Sequence, residues 1–303
     1  MGGGWVLDVD IRKFFDSLDH RHLREILAKR MRDGVIKRLI GKWLNAGVME
    51  SGVLTHPETG TPQGGVISPL LANIYLHEVL DVWFEREVKP RLKGTAFLVR
   101  FADDFVMGFA HEEDARRALD VLPKRFGRYG LALHPDKTRL LDFRSPRNRN
   151  DSDDYEGPGN FDFLAFTHYW TKSRKGFWVV KQKTSKSRFT RAMERMKAWC
   201  RKNRHLSIAE QHKALCLKLK GYYGYFGITG NFRAIERYRT QVQNLWKRWL
   251  GRRSHRARMT WERFQKILKR YPLPKARVIH SIYRLAANPR AEEPDASIAH
   301  VRI

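Results

Sequence analysis

The chain has 303 residues, 42% hydrophobic and 12% aromatic, with 59 Lys and Arg against 32 Asp and Glu for a net charge of +27. That composition packs a core and excludes a disordered polyelectrolyte. Its two cysteines, Cys200 and Cys216, exclude a disulfide framework or a four-cysteine zinc site and point to a reducing compartment. The charge calls for a polyanionic partner and is unevenly spread: residues 1–150 carry 25 basic and 20 acidic side chains, residues 151–303 carry 34 and 12. The uncharged stretch 59–77 is broken by Pro62, Gln63, Ser68, Pro69 and Asn73, which makes a poor membrane span. No basic flank precedes an apolar run at MGGGW, and Val6 stands where a myristoylation pattern wants Ser or Thr. The expectation is a cytoplasmic protein with no membrane partner.

In chain order, WVLDVDI alternates like a strand and puts Asp8 and Asp10 on one face. Residues 21–43 have helical spacing through Leu23, Ile26, Leu27, Met31, Ile36, Leu39, Ile40 and Trp43. The turn-rich HPETGTPQGG leads to Ser68-Pro69, which reads as N-cap and first helical residue, with Leu71, Ile74, Tyr75 and Val79 on the apolar face. FLVRFADDFVMGF predicts a hairpin with Asp103 and Asp104 at its tip. A helix follows that begins in Glu112, Glu113 and Asp114, where the helix dipole favours negative charge.

GLALHPDKTRLL returns as turn and strand, and residues 145–160 are a polar loop. FDFLAFTHYW and GFWVVKQK form a further strand pair. From Thr184 onward the period is helical. Phe189, Met193, Met196 and Cys200 make one stripe, and Ser207 with Glu210 makes a capping box. Thr229 or Asn231 opens a helix with Phe232, Ile235, Val242, Leu245, Trp246 and Trp249 on its apolar side, and Thr260 opens another.

A carboxylate at a strand end near two more at a hairpin tip is repulsive unless cations neutralise it, and oxygen-only ligands suit Mg²⁺. Two such ions can activate a hydroxyl and stabilise a leaving oxygen in phosphoryl transfer. A lone Asp-Asp pair in a turn is more often an ordinary turn residue pair. The succession LDVDIRKFFDSLDH, TPQGGVISPLLANIYL, RFADDFV, GLALHPDKT and FDFLAF within positions 7–166 is far more specific. Together these motifs resemble the palm of reverse transcriptases of the group II intron maturase family. LKGYYGYFGITGN resembles that family's thumb or maturase domain.

The resemblance reaches to about Arg277. It implies an α+β polymerase palm, an antiparallel sheet with helices, over 1–180, an α-helical thumb/maturase (X) domain over 181–285, and a polar tail over 286–303. It implies an RNA-directed DNA polymerase with intron RNA binding and splicing assistance. Its partners would be an RNA template, a DNA primer, deoxynucleoside triphosphates and group II intron RNA, and its cofactor two Mg²⁺ ions, with Mn²⁺ as a substitute.

By the same resemblance Asp10, Asp103 and Asp104 are the catalytic metal ligands, with the backbone carbonyl of Ile11 beside them, and Asp8 is a supporting acid. Phe101 replaces the commoner Tyr of the acidic motif. Phe15 is the gate against a ribose 2′-hydroxyl, Gln63 and Gly64 lie near the incoming nucleotide, and Lys137 faces its phosphates. Phe163, Leu164, Ala165 and Phe166 are the primer grip, with Ala165 where the family usually has Gly. His20 and His134 match family positions and serve turns and packing. Lys186, Arg188, Arg191, Arg195, Lys218, Lys220, Arg248, Arg252 and Arg253 are expected to follow nucleic-acid phosphates, while most of the interleaved aromatics form helix core. The chain begins at the first catalytic motif, so the expectation is an N-terminally truncated member with the fingers largely missing and no endonuclease after it. The alternative is a non-catalytic maturase-like RNA-binding protein or a degenerate fragment.

Overall fold

The computed structural model describes residues 3–44, 48–50, 53–55, 60, 67–146, 159–253 and 259–281. The chain divides into two compact units, residues 1–164 and 165–303. The expected contacts of Gln63 and Gly64, most of the 145–160 loop and the polar tail lie outside the described residues.

The first unit runs β1 (Trp5–Val9), α1 (Phe14–Ser17), α2 (His20–Arg30), α3 (Gly34–Leu44), a small hairpin of β2 (Val48–Glu50) and β3 (Val53–Thr55), and α4 (Ser68–Leu76). It continues through β4 (Ala96–Phe101), β5 (Asp104–Phe109), α5 (Glu112–Gly127), β6 (Arg139–Asp142) and β7 (Phe161–Phe163). Its main sheet has the order β4-β5-β1-β6 with every neighbour antiparallel. Because side chains alternate with period two, the sheet has two unlike faces. Leu7, Val9, Phe105, Met107 and Phe109 point into a core closed by Leu23 and Ile26 of α2, Leu71 and Tyr75 of α4, and Leu122 and Phe126 of α5. The opposite face carries Val6, Asp8, Val106 and Gly108. At Gly108 an added Cβ would sit 2.2 Å from the Phe97 ring, so only glycine lets Phe97 lie across this face.

Three expectations change here. Residues 21–43 form two helices, because each start has its own cap: Asp19 accepts from the Arg21 and His22 N–H groups, and Asp33 from those of Val35 and Ile36. On α3 only Ile40 and Leu44 are buried, while Val35, Ile36, Leu39 and Trp43 are exposed. Ser68 is itself the first residue of α4, with Ile67 in the cap position and Pro69 in the first turn. After Leu76 the helix widens into π turns over His77–Asp81 and Phe84–Val88 and ends in a 3-10 turn over Lys89–Arg91.

The second unit begins with the antiparallel hairpin of β8 (Phe166–Lys172) and β9 (Trp178–Thr184). Four helices follow: α6 (Lys186–Lys202), α7 (Ile208–Phe226), α8 (Phe232–Leu250) and α9 (Trp261–Arg270). Met196 and Cys200 of α6, Leu215, Leu219 and Tyr223 of α7, Ile235, Val242 and Trp246 of α8, and Phe264 of α9 make its own core. The Ser207–Glu210 capping box forms, and Thr260 accepts from the Arg263 N–H. Asn231 is the N-cap residue of α8, as expected, but its side chain makes no bond to the helix N–H groups. Its carbonyl accepts from the Thr184 N–H, and its amide donates to Thr184 Oγ1 and the Phe226 carbonyl, tying the end of β9 to the end of α7. Phe232 is exposed and leaves the apolar side of α8.

Candidate functional site

The register of the first sheet assembles the site. β1 pairs with β5 so that Asp8 faces Val106 and Val9 faces Phe105; one step further Asp10 comes opposite Asp104. On the other flank Asp8 faces Arg139, and beyond that pairing the Asp10 backbone meets His134, whose turn brings Lys137 to the Asp10 carboxylate. Both pairs close as ion pairs, Asp8 with Arg139 at 2.9 Å and Asp10 with Lys137 at 2.6 Å. Asp8, Asp10 and Asp104 therefore share the face turned away from the core.

Asp103 completes the group from the turn between β4 and β5, where Ala102 takes a left-handed φ of 56°. Burial, then repulsion from Asp8, Asp103 and Asp10, pushes the Asp104 carboxyl up to about 6, against the lowering effect of the Leu164 N–H that donates to it. Asp8 is also raised, chiefly by burial, despite Arg139. Lys137 is raised by its hydrogen bond and charge interaction with Asp10.

The backbone beyond β1 is pinned. Ile11 pairs with Leu133, the His134 N–H donates to the Asp10 carbonyl at 2.8 Å, and the Arg12 N–H donates to Ala132 at 2.8 Å. His134 thus serves the turn through its backbone. Phe15 is half-buried in α1, edge-on to buried Phe14 with ring centroids 5.4 Å apart. Gly60, at φ 90°, lies so close to the Phe15 and Asp16 backbone that a Cβ would come within 2.8 Å of both carbonyl oxygens. The Gly60 N–H donates to the Leu18 carbonyl, and buried His20 contacts the Gly60 carbonyl through Nε2. These contacts anchor Gly60 against α1 and the start of α2.

One set of residues has no sequence signal. Arg100 of β4 points to the core side and donates to both Asp81 carboxylate oxygens, at 2.8 and 2.7 Å, to Asn73 Oδ1 at 2.9 Å and to the Ala102 carbonyl at 2.9 Å. A half-buried bidentate pair thus fixes the turn that carries Asp103. Nineteen residues separate its partners, and a π turn sets where Asp81 points, so no periodic pattern exposes it.

Among the described residues, no three His, Cys, Asp or Glu side chains are gathered tightly enough to hold a metal ion as they stand. The donor chemistry is nonetheless that of a hard cation. The acids are all oxygen donors, and the mutual repulsion that raises Asp104 is what a divalent ion relieves.

Of the remaining expected residues, Phe163 is buried, while Leu164 and Ala165 both take left-handed φ values, 48° and 69°. The glycine usual at position 165 would adopt that conformation freely, and Ala165 holds it at a cost of about 1 kcal/mol. In the second unit Lys186, Arg188, Arg191, Arg195, Lys218, Lys220, Arg248 and Arg252 are exposed. Arg188, Arg191 and Arg195 recur at helical spacing opposite the buried Met196 and Cys200. Lys218 lies over the Trp199 ring and Arg252 over Trp249. Arg253 differs: it is half-buried and donates to the Leu206 carbonyl, a structural tie rather than a free cation. Tyr225 and Trp261 are exposed, whereas Trp170, Tyr222, Tyr223, Trp246 and Trp249 are core.

An antiparallel sheet with one apolar face and clustered acids at a strand end and hairpin turn is the frame of a reverse transcriptase. A family model described as reverse transcriptase (RNA-dependent DNA polymerase) matches residues 2–168, and the chain belongs to that family. Its relatives place it in the group II intron reverse transcriptase/maturase branch. It is 40% identical over 97 residues to the group II intron-encoded protein LtrA of Lactococcus lactis subsp. cremoris, covering 30% of this chain and 16% of that one. It is 32% identical over 171 residues to protein YkfC of Escherichia coli, covering 46% of this chain and 43% of that one. A putative COX1/OXI3 intron 1 protein of Saccharomyces cerevisiae is 35% identical over 187 residues, with coverages of 46% and 22%. The chain thus spans less than half the length of each of these relatives. A solved apo telomerase from Candida tropicalis overlaps 89% of this chain and 49% of its own, at 11% identity and a TM-score of 0.48. Among the described residues no helix is long and apolar enough to cross a membrane.

Proposed function

We propose that the chain is the polymerising core of an RNA-directed DNA polymerase of the group II intron type. In this reading the first unit is the palm, and the second is the helical thumb/maturase domain that holds template, primer and intron RNA. The observation that carries it is the gathering of Asp8, Asp10 and Asp104 on the sheet face turned away from the core, with Asp103 beside them in the hairpin turn. Asp10, Asp103, Asp104 and the Ile11 carbonyl would hold Mg²⁺, which when bound supplies charge neutralisation and activation of the primer hydroxyl.

The chain's own residues do the rest. Arg139 offsets part of the burial that raises the Asp8 carboxyl, and the Arg100–Asp81 pair fixes the turn of Asp103. Lys137 exchanges its Asp10 partner for the phosphates of the incoming nucleotide, where its charge matches theirs. Phe15 crowds the ribose 2′ position, Phe163 to Phe166 steady the primer end, and the exposed cations of the second unit follow the duplex phosphates.

The test is Mg²⁺-dependent primer extension on an RNA template, by this chain and by a version extended upstream. Removing one electrostatic stabiliser typically costs 10²–10³-fold, so Asp103→Ala is expected to cut synthesis by at least about that factor with folding unchanged. Synthesis that persists in Asp103→Ala sinks the mechanism.

The Lys137–Asp10 ion pair supports a second reading, a maturase-like RNA binder without catalysis, since it neutralises the first acid with no ion present. An inactive chain, extended or not, whose RNA binding is untouched by Asp10→Ala would favour that reading.

A further inference from the structure

On the side of the first unit away from the carboxylates, α5 and the turns that follow α4 enclose a groove of about 310 Å³. Trp83 and Ala118 line its floor and belong to the core beneath the sheet's apolar face, so the groove lies on the outer side of the helical layer. Its rim carries Arg91, Arg117, Lys124, Arg125 and Arg128, with Glu87 the one acid lining it. That concentration is not a share of a general excess, because residues 1–164 hold 25 basic and 25 acidic side chains and are neutral.

Nearby cations outside the groove have carboxylate partners: Arg116 pairs with Glu112 at 2.6 Å, Lys93 with Glu113 at 2.7 Å, and Lys89 with Glu85 at 2.9 Å. Among the described residues Arg117, Lys124 and Arg128 have none. Arg125 is fixed in place, donating to the Val79 carbonyl at 3.1 Å with its guanidinium 4.8 Å from the Tyr129 ring centre. Arg91 donates to the Glu87 backbone carbonyl at 2.8 Å.

The positions of the unpaired cations select the ligand. Arg117, Val121, Lys124 and Arg128 recur at i, i+4, i+7 and i+11 and form one row about 16 Å long on α5. The three cations of that row, with Arg91 and Arg125 beside it, make a line of positive charge that successive phosphates of a strand can follow. Arginine forks suit phosphate oxygens. A lipid surface would need a broad apolar face, and here the apolar residues form the floor of a narrow groove.

We infer that this groove is a second RNA contact, in which the phosphate backbone of a strand runs along α5 on the face opposite the proposed polymerase site. The inference rests on the reading of the chain as an RNA-acting protein, and the test separates the two.

The triple variant Arg117→Glu/Lys124→Glu/Arg128→Glu, and a neutral version with Gln at the same positions, are compared with the unaltered chain. A control triple, Arg24→Glu/Lys37→Glu/Lys42→Glu, changes exposed cations elsewhere in the same unit. The probe is a single-stranded RNA of about 20 nucleotides, titrated across a range of salt. Each lost phosphate contact lowers the slope of log Kd against log salt by about 0.7. The groove variants are therefore expected to lose about 2 from the slope and at least about tenfold in affinity, the neutral version included, while the control loses less than half as much.

Unchanged affinity and slope in the groove variants overturns the site, as does an equal loss in the control. An acidic peptide that competes with RNA for neither protein but binds only the unaltered groove would assign it to a protein partner and also overturn it. Failure of both the unaltered chain and its upstream-extended version to extend a primer, with the slope change intact, breaks the polymerase reading and leaves the groove standing.

Discussion

Residues 1–164 carry 25 basic and 25 acidic side chains, whereas residues 165–303 carry 34 and 7, so the whole net charge of +27 sits in the second unit. Each unit has its own apolar core, and the difference lies in what surrounds it. The first unit pairs charges closely, Asp8 with Arg139, Asp10 with Lys137, Asp81 with Arg100, and holds Asp104 among them, its carboxyl raised by burial and repulsion. In the second, cations cover an aromatic core and have few acids to pair with. Unit 1 is built to hold a few groups at fixed separations, which is what chemistry on a phosphate demands. Unit 2 has the charge density to hold a long polyanion with tolerance for its sequence.

The largest expected break in that contrast is Asp81→Ala. It strands a half-buried guanidinium, and removing one partner of a buried pair typically costs 3–5 kcal/mol; with Arg100 partly exposed about 2–3 kcal/mol is expected. Chemical denaturation should show the loss in the first unit alone, and Asp103-dependent synthesis should fall with it. Next is Arg188→Gln/Arg191→Gln/Arg195→Gln on α6. Its expected effect is on binding and not on folding: a loss of about 2 in the salt slope of RNA affinity, read by titration at several salt concentrations.

The smallest concerns Glu78, whose carboxyl is held below its usual value by its hydrogen bond to Lys29. A depressed carboxylate contributes stability above its unfolded value of 4.5, and that contribution is lost as the pH falls through the folded value. Lys29 is exposed, so the contribution is about 0.5 kcal/mol. Glu78→Gln should remove that difference at pH 6 and not at pH 3, read as the separation between the two unfolding curves.

The strand of Asp8 and Asp10, the acidic hairpin, the helix after it and the capping box at Ser207 were all legible, because each rests on short-range periodicity or cap chemistry. The ion pair of Asp8 was not, since it depends on which residue of β6 falls opposite which of β1, and a sequence does not print its register; that of Asp10 depends on the turn at His134 that carries Lys137. The Arg100–Asp81–Asn73 contact was hidden for a related reason: the π turn over His77–Asp81 breaks the 3.6-residue phase on which helix-face reading depends. Asn231 takes the expected N-cap position, yet its side chain bonds across to Thr184, a choice set by tertiary packing. The left-handed φ of Ala165 was signalled only by its family counterpart being glycine.

The π turn over His77–Asp81 has a bearing on how this segment can change over generations. A π turn takes one residue more than an α turn, and each residue in an α-helix turns the chain by about 100°, so rewinding this turn as α-helix at unchanged length would swing Asp81 around the axis and away from Arg100. Substitutions between Leu76 and Val88 can be absorbed one side chain at a time. An inserted codon cannot, because it rotates every later side chain at once, and the hairpin that carries Asp103 loses its anchor although no acid has been altered.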